Sequence, residues 1–232
     1  MEFFLKLGQV GHHLPMLMRA SLVNLELLGA LLVIGFLIGT LVALLQVYGG
    51  RVLSTVAFVY EWIFRSIPAL VLLFLFYYGP SHFGIDVQAF LAASLALGFR
   101  SSAYQSQIFR GAIQAIPSGQ MVAARALGMS RLSAIRHVIL PQAFRLAIPG
   151  WSNEYSSVVK DTTLAYAVTL NEIMRYAKTI MDRQYDLAMA TFIVVALVFL
   201  VFTYSGNALL GLVERRFRIP GLQMPGATGA IL

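Results

Sequence analysis

A basic segment lies between the long apolar runs of this chain: QMVAARALGMSRLSAIRHVILPQAF, residues 120–144. It carries Arg125, Arg131 and Arg136 and no carboxylate. Apolar residues recur at helical spacing on both sides of Gly128, a typical helix stop, and Ser130 is a typical helix cap. The segment therefore predicts two short helices joined by a glycine turn, with one small apolar face and a basic remainder.

The composition of the whole chain indicates a membrane protein. Of 232 residues, 59% are hydrophobic and 12% are charged, and the mean hydropathy is +0.77, all far from the average of a soluble domain. The net charge of +7 is best explained by basic loops that fix membrane topology, so we expect membrane lipid and no nucleic acid as a partner. The chain has no cysteine, which excludes disulfides and thiolate metal sites.

Apolar stretches of about 20 residues, the length that crosses a hydrocarbon core roughly 30 Å thick, divide the chain. Four are clear and one is interrupted, which predicts an all-α membrane protein with five transmembrane helices. They lie at residues 22–47, 52–78, 87–109, 138–170 and 187–213. Residues 1–19 are too polar to span and lack a signal-peptide cleavage site. We predict an amphipathic helix at the membrane interface there, with an uncleaved anchor as the alternative.

The distribution of basic residues predicts the orientation. More of them fall in the loops after the first and third spans and in the C-terminal tail than on the other side, where acidic residues offset them. The positive-inside rule then places these loops and the tail in the cytoplasm and the N-terminus outside. The predicted domains are the interfacial helix at 1–19, the five-span domain at 20–216, which includes the basic loop at about 111–137, and a cytoplasmic tail at 217–232.

A pair of small residues lies in the first span. Gly35 and Gly39 are four residues apart and permit close helix packing, so they could form a subunit contact. In a chain with 19 glycines, a chance match is the alternative.

The basic loop also carries a family resemblance. Residues 123–141, AARALGMSRLSAIRHVILP, resemble the loop of permease subunits of ATP-driven importers, whose pattern is Glu-Ala-Ala, three residues, Gly, nine residues, then Ile or Val, any residue, Leu-Pro. Val122 departs from that pattern at the position of the usual Glu. Four further stretches resemble the polar amino-acid permeases: FRSIPALV (64–71), IFRGAIQAIPSGQ (108–120), ILPQAFRLAIP (139–149) and KDTTLAYAVTLNEI (160–173).

The resemblance implies a type I ABC importer permease in the bacterial or archaeal cytoplasmic (inner) membrane. In such importers two permease chains, identical or homologous, surround the path, two copies of an ATP-binding subunit lie beneath them, and an extracytoplasmic binding protein delivers the amino acid. The loop at 111–137 would dock the ATPase, which binds ATP and Mg²⁺, although its arginines could instead lie on anionic lipid. The coupling residues that the resemblance implies are Ala123, Ala124, Arg125, Gly128, Arg131 and Arg136.

The motifs that are absent agree with a transport subunit rather than an enzyme. No G-x-x-x-x-G-K-[ST] motif is present, so ATP hydrolysis is expected on a separate chain. No H-E-x-x-H motif is present and no His has partners at metal-ligand spacing, so we expect no metal or cofactor in this chain. No nucleophile with an adjacent base lies within the spans.

Charged residues at membrane depth are the candidates for a substrate site, since each costs at least about 2.5 kcal/mol at a helix centre unless it is paired or faces water. Arg65 is one such residue, and Pro68 just beyond it could open the helix there. The alternative is that Arg65 simply pairs with Glu61, one helical turn away.

A polar stripe in the fourth predicted span supplies the other candidates. Residues 149–166 read PGWSNEYSSVVKDTTLAY, and their polar members recur at about one helical turn, which predicts a face toward a cavity. We expect Asp161 or Thr162 to cap a half-helix that restarts there, with a plain helix boundary at Lys160 and Asp161 as the alternative. The predicted substrate-binding residues are Arg65, Asn153, Glu154, Ser157, Lys160 and Asp161.

An amino acid needs opposite charges in its binding site. Arg65 could hold the α-carboxylate bidentately, and Glu154 or Asp161 could bind an ammonium or guanidinium group. The letters SNE at 152–154 resemble permeases for histidine, lysine and arginine, whereas FRSIP at 64–68 resembles those for glutamate and aspartate. We favour basic amino acids, moved by alternating access. Glutamate, aspartate or glutamine are the alternative, and an ion-coupled carrier or channel is a more remote one.

Overall fold

The described part of the chain is built of helices. The computed structural model describes residues 2–217, with side chains from residue 5 onward, and contains no strand in that range. The all-α prediction is confirmed. The helices are α1 Glu2–Gly11, α2 Leu14–Tyr48, α3 Gly50–Ser66, α4 Ala69–Tyr78, α5 Ala89–Gln114, α6 Ser118–Ala126, α7 Arg131–Ala134, α8 Leu140–Asp161, α9 Ile173–Arg183 and α10 Ala188–Phe217. Short 3-10 segments are Pro80–Phe83, Thr162–Val168 and Tyr185–Leu187, and a π-helical turn covers Ile135–Ile139.

Two helical segments of the described chain are long and apolar enough to cross a membrane, Leu14–Tyr48 and Tyr185–Phe217. Gly50–Ser66 and Ala69–Phe83 together would form a third crossing, although they meet at a bend of 101°. α5 and α8 have 26 and 22 residues, which is long enough for a bilayer, but charged and polar residues interrupt both. The five-span arrangement remains a prediction.

The first long helix begins earlier than the sequence predicts. α2 starts at Leu14, with Pro15 in its first turn, where the missing N–H of proline costs nothing. Residues 14–19, which were assigned to the interfacial segment, therefore belong to α2. Leu17 in this turn is buried in a cluster with Ile173 of α9, which ties the turn to the helix core. The interfacial location of residues 1–19 stays a prediction. The predicted tail at 217–232 lies outside the described residues apart from its first residue.

The second predicted span is not one helix. α3 ends at Ser66, Ile67 is extended (φ −82°, ψ 131°), and α4 starts directly after Pro68. Proline disfavours a helical residue before it and has no N–H for the helix ladder. The prediction that Pro68 opens the helix near Arg65 is confirmed, and the predicted span over 52–78 consists of two helices.

Close packing of α2 on α5 forms the largest helix contact of the described chain. A Cβ at Gly35 would overlap Gln105 Nε2, and one at Gly39 would lie 2.9 Å from the Ser102 carbonyl oxygen. Side chains at these two positions would therefore force the helices apart. The glycine pair serves a contact inside the chain, so its interpretation as a subunit contact is wrong.

The basic loop contains the glycine turn and the serine cap that its sequence predicts, but its second helix is not a separate short helix. α6 ends before Gly128, whose φ of +83° is left-handed, and the Met129 N–H closes the turn by donating to the Ala124 carbonyl at 3.2 Å. Ser130 caps α7, because its Oγ accepts a hydrogen bond from the Ser133 N–H at 3.2 Å. α7 has only four residues and continues through the π-helical turn into α8, so the second loop helix and α8 form one helical segment.

A buried polar cluster joins α2 to the start of α9. Glu172 is fully buried and accepts hydrogen bonds from Asn24 Nδ2 at 3.0 Å and from the N–H groups of Met174 and Arg175. Asn24 Nδ2 also donates to Thr162 Oγ1 at 3.1 Å. Burial raises the pKa of Glu172 above its usual value, although the amide and backbone donors oppose that shift. The cluster holds the end of the polar stripe of α8 against α2.

Candidate functional site

Arg65 lies in the last turn of α3, where the helix breaks. Its Nη1 donates to Glu61 Oε1 at 2.9 Å, so the pairing along one helix face does form. Glu61 is 5% exposed and also accepts hydrogen bonds from Gln46 Nε2 at 2.7 Å and from Gln107 Nε2. Arg110 Nη1 lies 4.0 Å from the same carboxylate. Glu61 is therefore a buried anchor that orients the Arg65 guanidinium.

An open cavity adjoins Arg65. Its volume is ≈ 500 Å³, which falls within the range of small-molecule sites, roughly 300–1,000 Å³. The Arg65 side chain is 39% exposed, so its guanidinium can reach a ligand while it stays paired. The cavity is lined by Phe58, Glu61, Trp62, Arg65, Ser66 and Tyr104.

Tyr104 of α5 connects Arg65 to the polar stripe of α8. The Arg65 Cζ lies 5.1 Å from the centroid of the Tyr104 ring, and the Arg100 Cζ lies 4.9 Å from the same centroid. Both distances are within cation–π range. Arg100 Nη1 in turn donates to Asp161 Oδ2 at 2.6 Å. Arg65 of α3 and Asp161 of α8 are thereby linked through two residues of α5.

Asp161 does not cap a restarting half-helix. α8 passes from Asp161 directly into the 3-10 segment Thr162–Val168 without a side-chain cap, and Thr162 turns inward to donate to the Val159 carbonyl at 2.7 Å. The capping prediction is wrong because the Asp161 carboxylate is engaged by Arg100 instead. The plain helix boundary at Lys160 and Asp161, the alternative that the sequence left open, is what forms.

Glu154 has a different partner from Asp161. Its Oε1 accepts a hydrogen bond from Ser101 Oγ at 2.9 Å. In the part of the chain that the structure describes, no Lys or Arg forms an ion pair with Glu154. The stripe therefore contains one carboxylate that is paired with a guanidinium and one whose hydrogen-bond partner is a hydroxyl.

The remaining stripe residues are exposed on α8, and their position at a cavity stays a prediction. Asn153, Ser157 and Lys160 are exposed, and Ser157 Oγ donates to the Asn153 carbonyl at 3.4 Å. None of them lines the cavity at Arg65. The predicted site residues thus form two groups, Arg65 at the cavity and the α8 stripe, which Tyr104 and Arg100 connect.

Sequence reasoning missed three contributors from α5: Arg100, Ser101 and Tyr104. None of the three is among the substrate-binding residues that the sequence predicts. A signal was present, since Arg100 and Tyr104 are one helical turn apart within a predicted span. Among the described residues, no group of three or more His, Cys, Asp or Glu side chains could hold a metal ion.

The residues implied in ATPase docking lie on and after α6. Ala124 is buried, while Ala123, Arg125, Gly128, Arg131 and Arg136 are exposed. Exposed apolar side chains lie among them: Val122, Leu127 and Leu132 are 67%, 84% and 75% exposed. The loop therefore presents an apolar surface flanked by arginines.

Comparison with known proteins identifies the class of this chain. The family described as binding-protein-dependent transport system inner membrane component matches residues 35–219. This match covers most of the chain, and the chain belongs to that family. A crystal structure of an amino acid ABC transporter with histidines superposes with a TM-score of 0.80 and 33% identity, covering 90% of this chain and 97% of that one. The shared fold is the all-helical fold of a type I ABC permease.

Curated relatives narrow the class to amino-acid transport. The nopaline transport system permease protein of Agrobacterium fabrum is 37% identical over 210 residues, which cover 86% of this chain and 87% of the relative. The arginine ABC transporter permease protein of Escherichia coli K12 is 36% identical over 167 residues, 68% of this chain and 74% of the relative. The L-cystine transport system permease protein of Bacillus subtilis is 33% identical over 184 residues, 79% of each. This chain is the permease of an ABC amino-acid importer, and the ATPase is a separate polypeptide.

Proposed function

We propose that this permease imports basic amino acids and that Glu154 binds the cationic end of the substrate. The unpaired carboxylate of Glu154 carries the proposal. A partly buried carboxylate without a cation is costly, and a guanidinium or ammonium from the substrate would supply the missing charge. Asp161 is less available, because Arg100 occupies it at 2.6 Å.

Arg65 is the proposed ligand of the α-carboxylate. Glu61 holds it from one side at 2.9 Å, while its exposed part borders the cavity. Arginine is suited to carboxylate because its planar fork can donate two parallel hydrogen bonds. Asn153, Ser157 and Lys160 would complete the path as polar groups on the open face of α8.

The names of the relatives support a basic substrate, but they do not all point to the same amino acid. One of them is named for arginine and one for nopaline, but another is named for cystine. Glutamate, aspartate or glutamine would use Arg65 and Lys160 instead of Glu154. An ion-coupled carrier or channel remains the more remote alternative, and it would have to transport without an ATPase.

We further propose that the transport cycle is alternating access, driven by ATP and Mg²⁺ on the partner. In this proposal two ATP-binding subunits dock against the loop at 111–137 of two permease chains, identical or homologous, and an extracytoplasmic binding protein supplies the amino acid. The apolar surface at Val122, Leu127 and Leu132 suits a protein groove better than the anionic lipid that could also attract its arginines. Val122 in the usual Glu position would remove one polar contact from this docking.

The proposed topology has five spans, with the N-terminus outside and the C-terminus in the cytoplasm. α2 and α10 would be the first and last spans, and the pair α3 and α4 would be a broken second span. α5 and α8 would be the third and fourth, because their charged residues face each other rather than lipid. A chain with the opposite orientation would place the most basic loop outside, against the positive-inside rule.

The test is substrate-stimulated ATP hydrolysis in liposomes that contain this chain, its ATPase and its binding protein. Arginine, lysine, histidine, glutamine and glutamate are compared, in wild type and in Glu154→Gln, with Glu26→Gln as a control on the exposed face of α2. We expect basic amino acids to stimulate hydrolysis in wild type and in the control but not in Glu154→Gln. Stimulation by glutamate or glutamine, with Glu154→Gln unchanged, would overturn the substrate assignment and favour Arg65 and Lys160 as the site.

A further inference from the structure

We propose that Trp151 and Gln105 are positioning residues that fix Glu154 as a hydrogen-bond acceptor for the substrate. They form one continuous chain of hydrogen bonds with Ser101. Trp151 Nε1 donates to Gln105 Oε1 at 2.7 Å, Gln105 Nε2 donates to Ser101 Oγ at 3.1 Å, and Ser101 Oγ donates to Glu154 Oε1 at 2.9 Å. The inference rests on the proposed function of Glu154 and extends it to residues that do not contact substrate.

The indole N–H of Trp151, at one end of this series of hydrogen bonds, sets the direction of every hydrogen bond in it. An indole N–H can only donate, so the Gln105 side chain must turn its carbonyl oxygen toward Trp151. The amide nitrogen then points at Ser101, whose oxygen accepts its hydrogen bond. The hydroxyl proton of Ser101 is left to donate to Glu154. Each of the three hydrogen bonds therefore has only one possible direction, and every donor points toward the Glu154 carboxylate.

Burial makes this arrangement stable. Gln105 is fully buried and Ser101 is 3% exposed, so water cannot exchange freely with either group. Reversing the Gln105 amide would bring its NH₂ group against the indole N–H and leave a buried donor unpaired, which is costly. The hydrogen bonds that lead to Glu154 are therefore held in one orientation by residues of α5 and α8.

Gly35 leaves the space that the Gln105 side chain needs to form these hydrogen bonds. A Cβ at this position would overlap Gln105 Nε2 and lie 3.1 Å from Ser101 Oγ. Any side chain there would push the amide out of line with Ser101. The glycine in α2 thus supports both the packing of α2 on α5 and the orientation of Glu154.

The consequence for specificity is a preference for charged donors over neutral ones. With Oε1 oriented by Ser101, the carboxylate presents fixed acceptor positions to the substrate. A guanidinium gains charge-assisted hydrogen bonds there, whereas the neutral ureido group of citrulline, which has nearly the same shape, gains weaker ones. Loss of these hydrogen bonds should reduce the affinity for arginine relative to that for citrulline.

The test is competition binding to the permease–ATPase complex in detergent, without the binding protein, so that only the membrane site discriminates. Labelled arginine is displaced by unlabelled arginine or by citrulline, and the ratio of the two dissociation constants is the readout. Trp151→Phe keeps an aromatic ring but removes the donor, and Ser101→Ala removes the last link. Tyr204→Phe, which removes a hydroxyl from an exposed position on α10, is the matched control.

We expect the citrulline-to-arginine ratio to fall about fivefold in Trp151→Phe and in Ser101→Ala, as loss of one hydrogen bond implies, and to stay unchanged in Tyr204→Phe. An equal loss of affinity for both ligands would show a structural role only and would overturn the inference. Glu154→Gln separates the two proposals. If it collapses the ratio while Trp151→Phe and Ser101→Ala do not, the positioning chain is wrong and the proposed function stands; if Glu154→Gln leaves the ratio unchanged, the proposed function fails as well.

Discussion

Arg100 of α5 and Asp161 of α8 form a 2.6 Å hydrogen-bonded ion pair, with side chains that are 24% and 28% exposed. Seven residues earlier on α8, Glu154 faces α5 as well, but it contacts the Ser101 hydroxyl instead of a cation. The two carboxylates of the stripe are therefore unequal. Asp161 is engaged by a guanidinium between the helices, whereas Glu154 forms no ion pair with Lys or Arg among the described residues.

The pair of Arg100 and Asp161 should stabilise the fold. Arg100→Gln leaves the Asp161 charge without its partner, so we expect it to lower the free energy of unfolding by about 2 kcal/mol, the scale of a hydrogen bond to a charged group. Arg100→Gln combined with Asp161→Asn should recover part of that loss, since neither charge is left unpaired. Thermal unfolding of the purified complex measures both. A double variant whose loss equals the sum of the two single losses would contradict the coupling.

The cluster around Glu172 should be sensitive to a single oxygen-to-nitrogen change. Both carboxylate oxygens accept hydrogen bonds, one from Asn24 Nδ2 and the Met174 N–H and the other from the Arg175 N–H. In Glu172→Gln either orientation of the amide places an NH₂ group against a donor. We expect a loss of roughly 1–3 kcal/mol in unfolding free energy. Glu26→Gln, the same change at an exposed position, should stay within about 0.5 kcal/mol of wild type, and equal stability of the two variants would refute the argument.

Two glycines of α2 should respond oppositely to alanine. At Gly35 the added methyl group would overlap Gln105, whereas at Gly29 nothing lies within 4 Å. Gly35→Ala should destabilise the fold by about 1–3 kcal/mol through overpacking. Gly29→Ala should be neutral or stabilise the helix by up to about 1 kcal/mol. Similar melting temperatures for the two variants would mean that α2 and α5 are not packed as closely as described.

The topology can be tested with single cysteines, because the chain has none of its own. Leu127 in the basic loop and Phe83 after α4 are each 84% exposed. A membrane-impermeant thiol reagent added outside intact cells should label Phe83→Cys but not Leu127→Cys. Inverted vesicles should show the reverse. The opposite pattern would place the N-terminus in the cytoplasm and would refute the orientation that the basic residues predict.

Local features of this fold could be predicted from the sequence. Pro68 breaks the helix because of its own missing N–H, and Gly128 and Ser130 end and start helices through contacts within a few residues. Helical spacing puts Asn153 and Ser157 on one side of α8, where both are exposed; that this side faces a cavity stays a prediction. Each of these signals depends only on neighbours along the chain.

Contacts between helices could not be predicted in the same way. The partners of Glu154 and Asp161 lie 53 and 61 residues earlier in the chain, and periodicity gives the face of a helix without saying which helix packs on it. The capping prediction for Asp161 failed for this reason, since the distant Arg100 had no place in a local argument. The partner of Gly35, Gln105, also lies on another helix, so the glycine spacing alone could not distinguish a contact inside the chain from a subunit contact.

The most direct test of the account is the affinity of the permease–ATPase complex for arginine, measured in wild type, Glu154→Gln and Glu26→Gln. If Glu154 receives the substrate cation, Glu154→Gln should weaken binding by a factor of about 10 to 100, which corresponds to the roughly 1.5–3 kcal/mol of a hydrogen bond to a charged group. Glu26→Gln should bind arginine as wild type does. Unchanged arginine affinity in a folded Glu154→Gln complex would contradict the central claim.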